Sequence, residues 1–451
     1  MNLSYRDVLY IIAFLFLGFS IALISKGLSG YATTLSITEA IKIFEIQQGL
    51  GSLICFFIIK LTRSTLYSNF VEYSILMNFK EQLIDFKTNF DNQLSIFLLN
   101  KIQQAAHINP TAEINLKEIY RVILEVKSAG KRIRPALTYF GFLASGKAPN
   151  KQEMETIIQV GIALELFHTF ALIHDDIIDE SLTRRGSPTV QSFYQDYFKQ
   201  DLLDNHPSLH QNLDDRANHF ALGATILAGD FAYMLSQEVI GKLPSSPAVD
   251  AMKTLFYQMQ FELISGQLDD CYGVGMADFD TLDPANIEHM LILKSGNYSI
   301  QKPLLLGATL AGASDSQIAS FNIAGEKIGL VYQLTDDIIS LFGDENKTGK
   351  PSKADIVEGK RTLMMSTYYN QLNDEERLIL KEQLGNANIA NSEIDQLKQK
   401  MIESGVVDQI KDRCQKENAE ALDIIYSSFD KDNDGITFIR DMSAYLIARD
   451  S

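Results

Sequence analysis

Between His168 and Pro188 the chain reads HTFALIHDDIIDESLTRRGSP, and no other stretch limits its fold and chemistry as tightly. At helical spacing Asp175 and Asp179 project from one face with Asp176 beside them, while Phe170, Ala171, Leu172, Ile173, Ile177 and Ile178 supply apolar flanks. Ionised carboxylates crowded into such a setting repel one another and are costly to desolvate unless a cation compensates. A hard divalent ion with oxygen ligands answers both needs. Mg²⁺ suits best, because it is usually held by one or two carboxylates together with substrate phosphates. Arg184 and Arg185 follow closely, and guanidinium groups grip phosphate oxygens in pairs. A short acidic motif alone is more often a solvated helix end. A second acidic pair, Asp336 and Asp337, stands in a similar apolar frame, LVYQLTDDIISLFGD, and argues for the metal.

Upstream, GKRIRP gathers Lys131, Arg132 and Arg134 at a helix start, with Pro135 in the first turn. Backbone amides and the helix dipole favour an anion there, although the same residues alone would read as an exposed basic turn. Most of the chain is a succession of amphipathic helical patterns broken by Gly, Pro and Asn clusters. Strand-like alternation is scarce, so the soluble part is expected to be all-α. The 46% hydrophobic content suffices for a large core, and a net charge of -17 argues against nucleic-acid binding.

DDIID followed by RRG, GKRIRP upstream and YQLTDD downstream resemble the trans-isoprenyl diphosphate synthases, also called polyprenyl synthetases. The resemblance runs from about Phe86 to the C-terminus. It implies an isoprenoid-synthase-type helical bundle around a central cavity, over 86–451, acting as a Mg²⁺-dependent trans-prenyltransferase. Such enzymes condense isopentenyl diphosphate head-to-tail with an allylic diphosphate. By the family's pattern Asp175, Asp176, Asp179, Asp336 and Asp337 face the metal, and Asp175, Asp179, Asp336 and Lys294 carry catalysis. Lys131, Arg134, His168 and Arg185 match positions that hold the diphosphate of isopentenyl diphosphate. Arg184, Gln267, Asp270, Lys294, Ser295, Gln333, Lys350 and Lys360 complete the substrate contacts. Ser340 stands where the family usually has the third acid of the second motif. Phe170 and Ala171, just upstream of Asp175, resemble the pattern of enzymes that stop at geranylgeranyl length. Farnesyl or longer products, or a non-catalytic partner subunit, are the alternatives. A homodimer is implied by the resemblance alone.

The N-terminus carries a different expectation. Val8 to Ser25 is a nearly unbroken apolar run of membrane-spanning length, and MNLSYRD before it is not the basic start of a signal peptide. Residues 49–61 form a shorter apolar run, interrupted by Lys60, that makes a second crossing a candidate. Residues 1–64 are thus expected to anchor the chain in a membrane and 65–85 to be a linker helix. Arg6, Lys60 and Arg63 would keep the catalytic part cytoplasmic. The polar stretch from Gln195 to about Asn218 is expected as an inserted surface loop, helical in part, and His206, His210 and His219 in or beside it are not expected to form a metal site. Cys55, Cys271 and Cys414 show no metal spacing and are read as free thiols. In FDKDNDGITFIRDM, Asp430, Asp432, Asp434, Gly435 and Asp441 fall at calcium-loop offsets, but the twelfth position is Asp instead of Glu. A polar turn between the last helices is the preferred reading.

Overall fold

Helix formation follows from the local sequence nearly everywhere, and capping side chains show why many of the helices start where they do. Asn150 and Glu153 form a reciprocal capping box before Lys151–Ile178, and Ser314 with Gln317 forms another before Asp315–Phe342. The computed structural model describes residues 78–125, 130–184, 186–209, 211–343 and 353–449. The expected membrane anchor over 1–64 lies outside them, as do Cys55, Arg185, His210 and Lys350.

In chain order, α1 is helical over 78–108. Then come α2 (Pro110–Tyr120), α3 (Ile133–Ala144) and α4 (Lys151–Ile178), and a small hairpin of β1 (Thr183–Arg184) and β2 (Ser187–Pro188). After it run α5 (Val190–Asn205), α6 (Leu213–Gly241), α7 (Pro247–Leu268), α8 (Pro284–Leu291), α9 (Lys302–Ala311) and α10 (Asp315–Phe342). The C-terminal part holds α11 (Ala354–Val357), α12 (Leu363–Tyr369), α13 (Asp374–Gln383), α14 (Asn391–Glu403), α15 (Val406–Ser428) and α16 (Asp434–Ala448).

The central element is α4, apolar around most of its girth because neighbours cover it on most sides. It packs against α3 and α6, α9 lies between α3 and α7, and α10 packs on α15. By length and composition α4 could cross a membrane, but it is largely buried as a core helix. Phe167 on α4 is fully buried, and truncating such a ring costs about 3–5 kcal/mol. Wider π-helical turns at Asp269–Gly273 and Ile292–Gln301 continue α7 and join α8 to α9. Such turns collect at functional sites because they re-aim the side chains on them. Helices cross closely here: a Cβ on Gly266 would stand 2.4 Å from the Lys294 backbone nitrogen, and one on Gly329 2.6 Å from the Gly296 carbonyl oxygen.

Two expectations change and a third holds. Helix α1 passes through residue 86 without a break, and Phe79 and Leu83 are buried in one cluster with Phe140 and Phe438. Residues 78–85, expected as linker, therefore belong to the bundle. The expected surface loop after Gln195 is mostly helical: α5 runs to Asn205 because Tyr194 and Leu202 bury an apolar edge. At the C-terminus, the Asn433 side chain caps α16, and Asp441 is fully buried within that helix, accepting from Asn78 at 2.9 Å. The acids of that segment do not ring a common centre, and the polar turn is what forms. Cys271 and Cys414 are free thiols.

Candidate active site at the ends of two acidic helices

The first acidic motif occupies the last turn of α4. Gly186, at φ +72°, turns the β1–β2 hairpin, which brings Arg184 back onto that turn. Its Nε donates to Asp176 at 2.6 Å and its Nη2 to Asp175 at 3.1 Å. Asp176, expected beside the other two as a metal ligand, is instead buried against Arg184. Asp175 and Asp179 keep roughly a fifth of their side-chain surface open. Gln267 donates to Asp175 at 3.3 Å, and the Lys294 ammonium lies 3.8 Å from Asp175 and 2.5 Å from Asp270. Burial pulls the pKa of Lys294 down, but Asp270 and Asp175 outweigh it and hold it above the usual range. Burial, then the neighbouring Asp175, pushes the Asp179 carboxyl up, against the pull of Lys360 and Lys294.

The second motif lies on α10. Asp337 is buried and accepts from Gln333 at 2.8 Å. Burial, reinforced by Asp355, pushes it up to about 8, so it is mostly protonated at neutral pH. Expected as a metal ligand, it lies in the core beside Gln333. Asp336 is more exposed and pairs with Arg449 at 2.6 Å, just past α16. Arg449 also donates to the Tyr332 carbonyl at 2.9 Å and the Thr335 hydroxyl at 2.7 Å. Ser340 follows Asp336 by one helical turn and is partly buried.

The two motifs meet across Lys360. Its ammonium lies 3.9 Å from Asp179, 3.7 Å from Asp355 and 2.8 Å from Glu358. Asp355 and Lys360 in turn act electrostatically on Asp337. One cation thus pairs with Asp179 of the first motif and lies near enough to Asp337 of the second to act on its charge.

The basic knot before α3 forms a third cluster. Arg134 donates to Ser299 at 2.7 Å and stacks 4.1 Å over the Tyr298 ring, whose hydroxyl is hydrogen-bonded to His168 Nδ1. The Arg134 Nε is buried with no hydrogen-bond partner among the described residues, as suits a guanidinium built to receive an anion. Lys131 is 2.9 Å from the Tyr445 hydroxyl. His168 and Arg184 also line a small cavity of about 50 Å³ with Asp176. Ser295 stands in the π-helical turn beside Lys294. Sequence reasoning missed Tyr298, Ser299 and Arg449. The first two sit one turn beyond Lys294 and Ser295, a spacing that could have flagged them; Arg449 carries no local signal.

With this geometry in place, comparison with known proteins decides the family. The family model described as polyprenyl synthetase matches residues 115–401. The chain belongs to that family. Among its relatives is the short chain isoprenyl diphosphate synthase of Methanocaldococcus jannaschii, 28% identical over 59% of this chain and 71% of the relative. The geranylgeranyl diphosphate synthase of Sulfolobus acidocaldarius is 30% identical over the same shares. The crystal structure of geranylgeranyl pyrophosphate synthase from Corynebacterium glutamicum, complexed with isoprenyl diphosphate and magnesium, superposes with a TM-score of 0.70 at 26% identity. That match covers 83% of this chain and 98% of the other. This polyprenyl synthetase therefore has the all-helical isoprenoid synthase fold, and it is a trans-prenyltransferase that elongates isoprenyl diphosphates.

Proposed function

We propose that this polyprenyl synthetase condenses isopentenyl diphosphate with an allylic diphosphate in the cleft between Asp175 and Asp336, with geranylgeranyl diphosphate as product. The observation that carries this reading is the shared Lys360, which ties Asp179 to the surroundings of the second motif. Among the described residues no three His, Cys, Asp or Glu side chains form a ready cage. That suits Mg²⁺, which needs few protein carboxylates when phosphates supply the other ligands. Asp175, Asp179 and Asp336 are hard oxygen donors at the rim of the cleft and fit that role. When bound there, Mg²⁺ adds positive charge beside the leaving diphosphate.

The chain's own groups do the rest. Lys131, Arg134 and His168 hold isopentenyl diphosphate, and Arg185 and Lys350 join the substrate contacts by the family's pattern. Arg184, Lys294, Lys360 and Gln333 surround the allylic diphosphate, with Gln267 and Asp270 fixing Asp175 and Lys294. The lysines stabilise charge as the allylic C–O bond breaks, the double bond of isopentenyl diphosphate attacks the resulting cation, and a proton is lost to the departing pyrophosphate. Apolar walls keep water from the cation.

For product length, Phe170 packs against Phe167 at 5.5 Å, Tyr233 at 5.2 Å and His174 at 4.8 Å, an aromatic floor beneath Asp175. Ala171 flanks it. Phe170→Ala is expected to lengthen the product by at least one isoprene unit on chromatography; an unchanged product removes Phe170 from the role. A second copy of this chain suits α6 and α7, which expose Phe220, Ile226, Leu227, Phe261 and Ile264. The apolar N-terminal run supports a membrane anchor with a cytoplasmic catalytic domain. The whole reading is tested by incubating the full chain, in detergent micelles, with Mg²⁺, isopentenyl diphosphate and farnesyl diphosphate. A C20 diphosphate that vanishes with chelator supports it, and no condensation product contradicts it.

A further inference from the structure

Arg132 lies in the middle of the basic knot, yet its side chain turns away from the cleft. Its backbone is left-handed, at φ 58° and ψ 33°, a conformation that a long side chain adopts only when its surroundings enforce it. The side chain is about 2% exposed, and each of the three guanidinium nitrogens has a partner on a different segment. Nε donates to Asp91 of α1 at 2.7 Å, Nη1 to Glu165 of α4 at 2.6 Å, and Nη2 to the Ile123 carbonyl at 2.7 Å. Glu165 is itself buried. Asp91 also pairs with Lys87 on α1.

The location gives these bonds their meaning. Lys131 and Arg134 flank Arg132 in the chain, and His168 follows Glu165 by one helical turn. One planar group therefore ties the backbone of the knot to the stretch of α4 that bears His168. Lysine, a point charge without the fork, cannot satisfy three acceptors in these directions.

We infer that Arg132 is a positioning residue, which fixes the knot against α1 and α4 so that Lys131, Arg134 and His168 converge on the diphosphate of isopentenyl diphosphate. This rests on the function proposed above and adds a residue that touches no substrate. Because the tether serves one of the two substrates, its loss shows as a selective effect.

The test is steady-state kinetics on the full chain in detergent, varying isopentenyl diphosphate and farnesyl diphosphate in turn, beside calorimetric titration with isopentenyl diphosphate. Arg132→Lys is expected to raise KM for isopentenyl diphosphate about tenfold and to leave KM for farnesyl diphosphate within about twofold. Equal rises, or none, in a variant with the parent's circular dichroism overturn the inference. Should Arg132→Lys fail to fold, Glu165→Gln decides, since Arg132 keeps two partners: a selective rise of about threefold supports the inference and an unchanged KM overturns it. A parent that binds isopentenyl diphosphate without turnover contradicts the functional reading alone. Variants that bind it as tightly as the parent contradict the role of Arg132 alone.

Discussion

The ends of α4 and α10 carry nearly the same sequence, an acidic pair in an apolar frame, but their charges are balanced in different ways. At the end of α4, Arg184, Lys294 and Lys360 arrive from three different segments, and Asp175 and Asp179 stay accessible among them. On α10, Asp337 is neutralised by a proton and Asp336 by Arg449 at the C-terminus. The lesson is that an acidic motif names carboxylates, while the elements packed against it decide which remain charged and within reach of a metal. The first region is poised around a substrate; the second is partly closed by the protein itself.

This contrast can be broken by experiment. Asp175→Asn should lower turnover about a thousandfold, whereas Asp336→Asn should cost about a hundredfold or less, both read with saturating substrates and Mg²⁺. Equal losses would erase the distinction between the two regions. Asp337→Asn acts on stability. The folded chain holds a proton on Asp337 that the unfolded chain releases above about pH 4, so stability declines as pH rises from there through about 8. The variant lacks that decline. It should therefore gain on the order of a few kcal/mol over the parent at about pH 8 and nothing near pH 4, read as Tm without divalent ions. A gain independent of pH would mean that Asp337 is not the buried acid described. The smallest effect is expected of Arg449→Ala, which leaves Asp336 uncompensated and should lower the Mg²⁺ concentration for half-maximal binding about threefold. An unchanged or raised midpoint would show that Arg449 does not compete with the metal.

Much of this was legible in the chain. The helical class followed from periodicity, and GKRIRP, DDIID and YQLTDD were legible as site motifs through their resemblance to the polyprenyl synthetases. What escaped is set by contacts between separate elements. Arg132 reads as one more cation of the knot, and only the left-handed turn sends it inward to Asp91 and Glu165. Asp176 looks equivalent to Asp175 until the hairpin delivers Arg184. The α5 segment looks polar because few of its side chains are buried. Arg449 lies more than a hundred residues from Asp336 and carries no motif.

The most direct test of the joined cleft is a crystal structure of the chain with Mn²⁺ and a non-cleavable thio analogue of farnesyl diphosphate, the ions located by anomalous scattering. Manganese bound by Asp175 and Asp179 on one side and by Asp336 on the other, with Arg449 displaced and one diphosphate between them, is the predicted result. Metal confined to a single motif, or a diphosphate bound away from Lys294 and Lys360, would contradict the account.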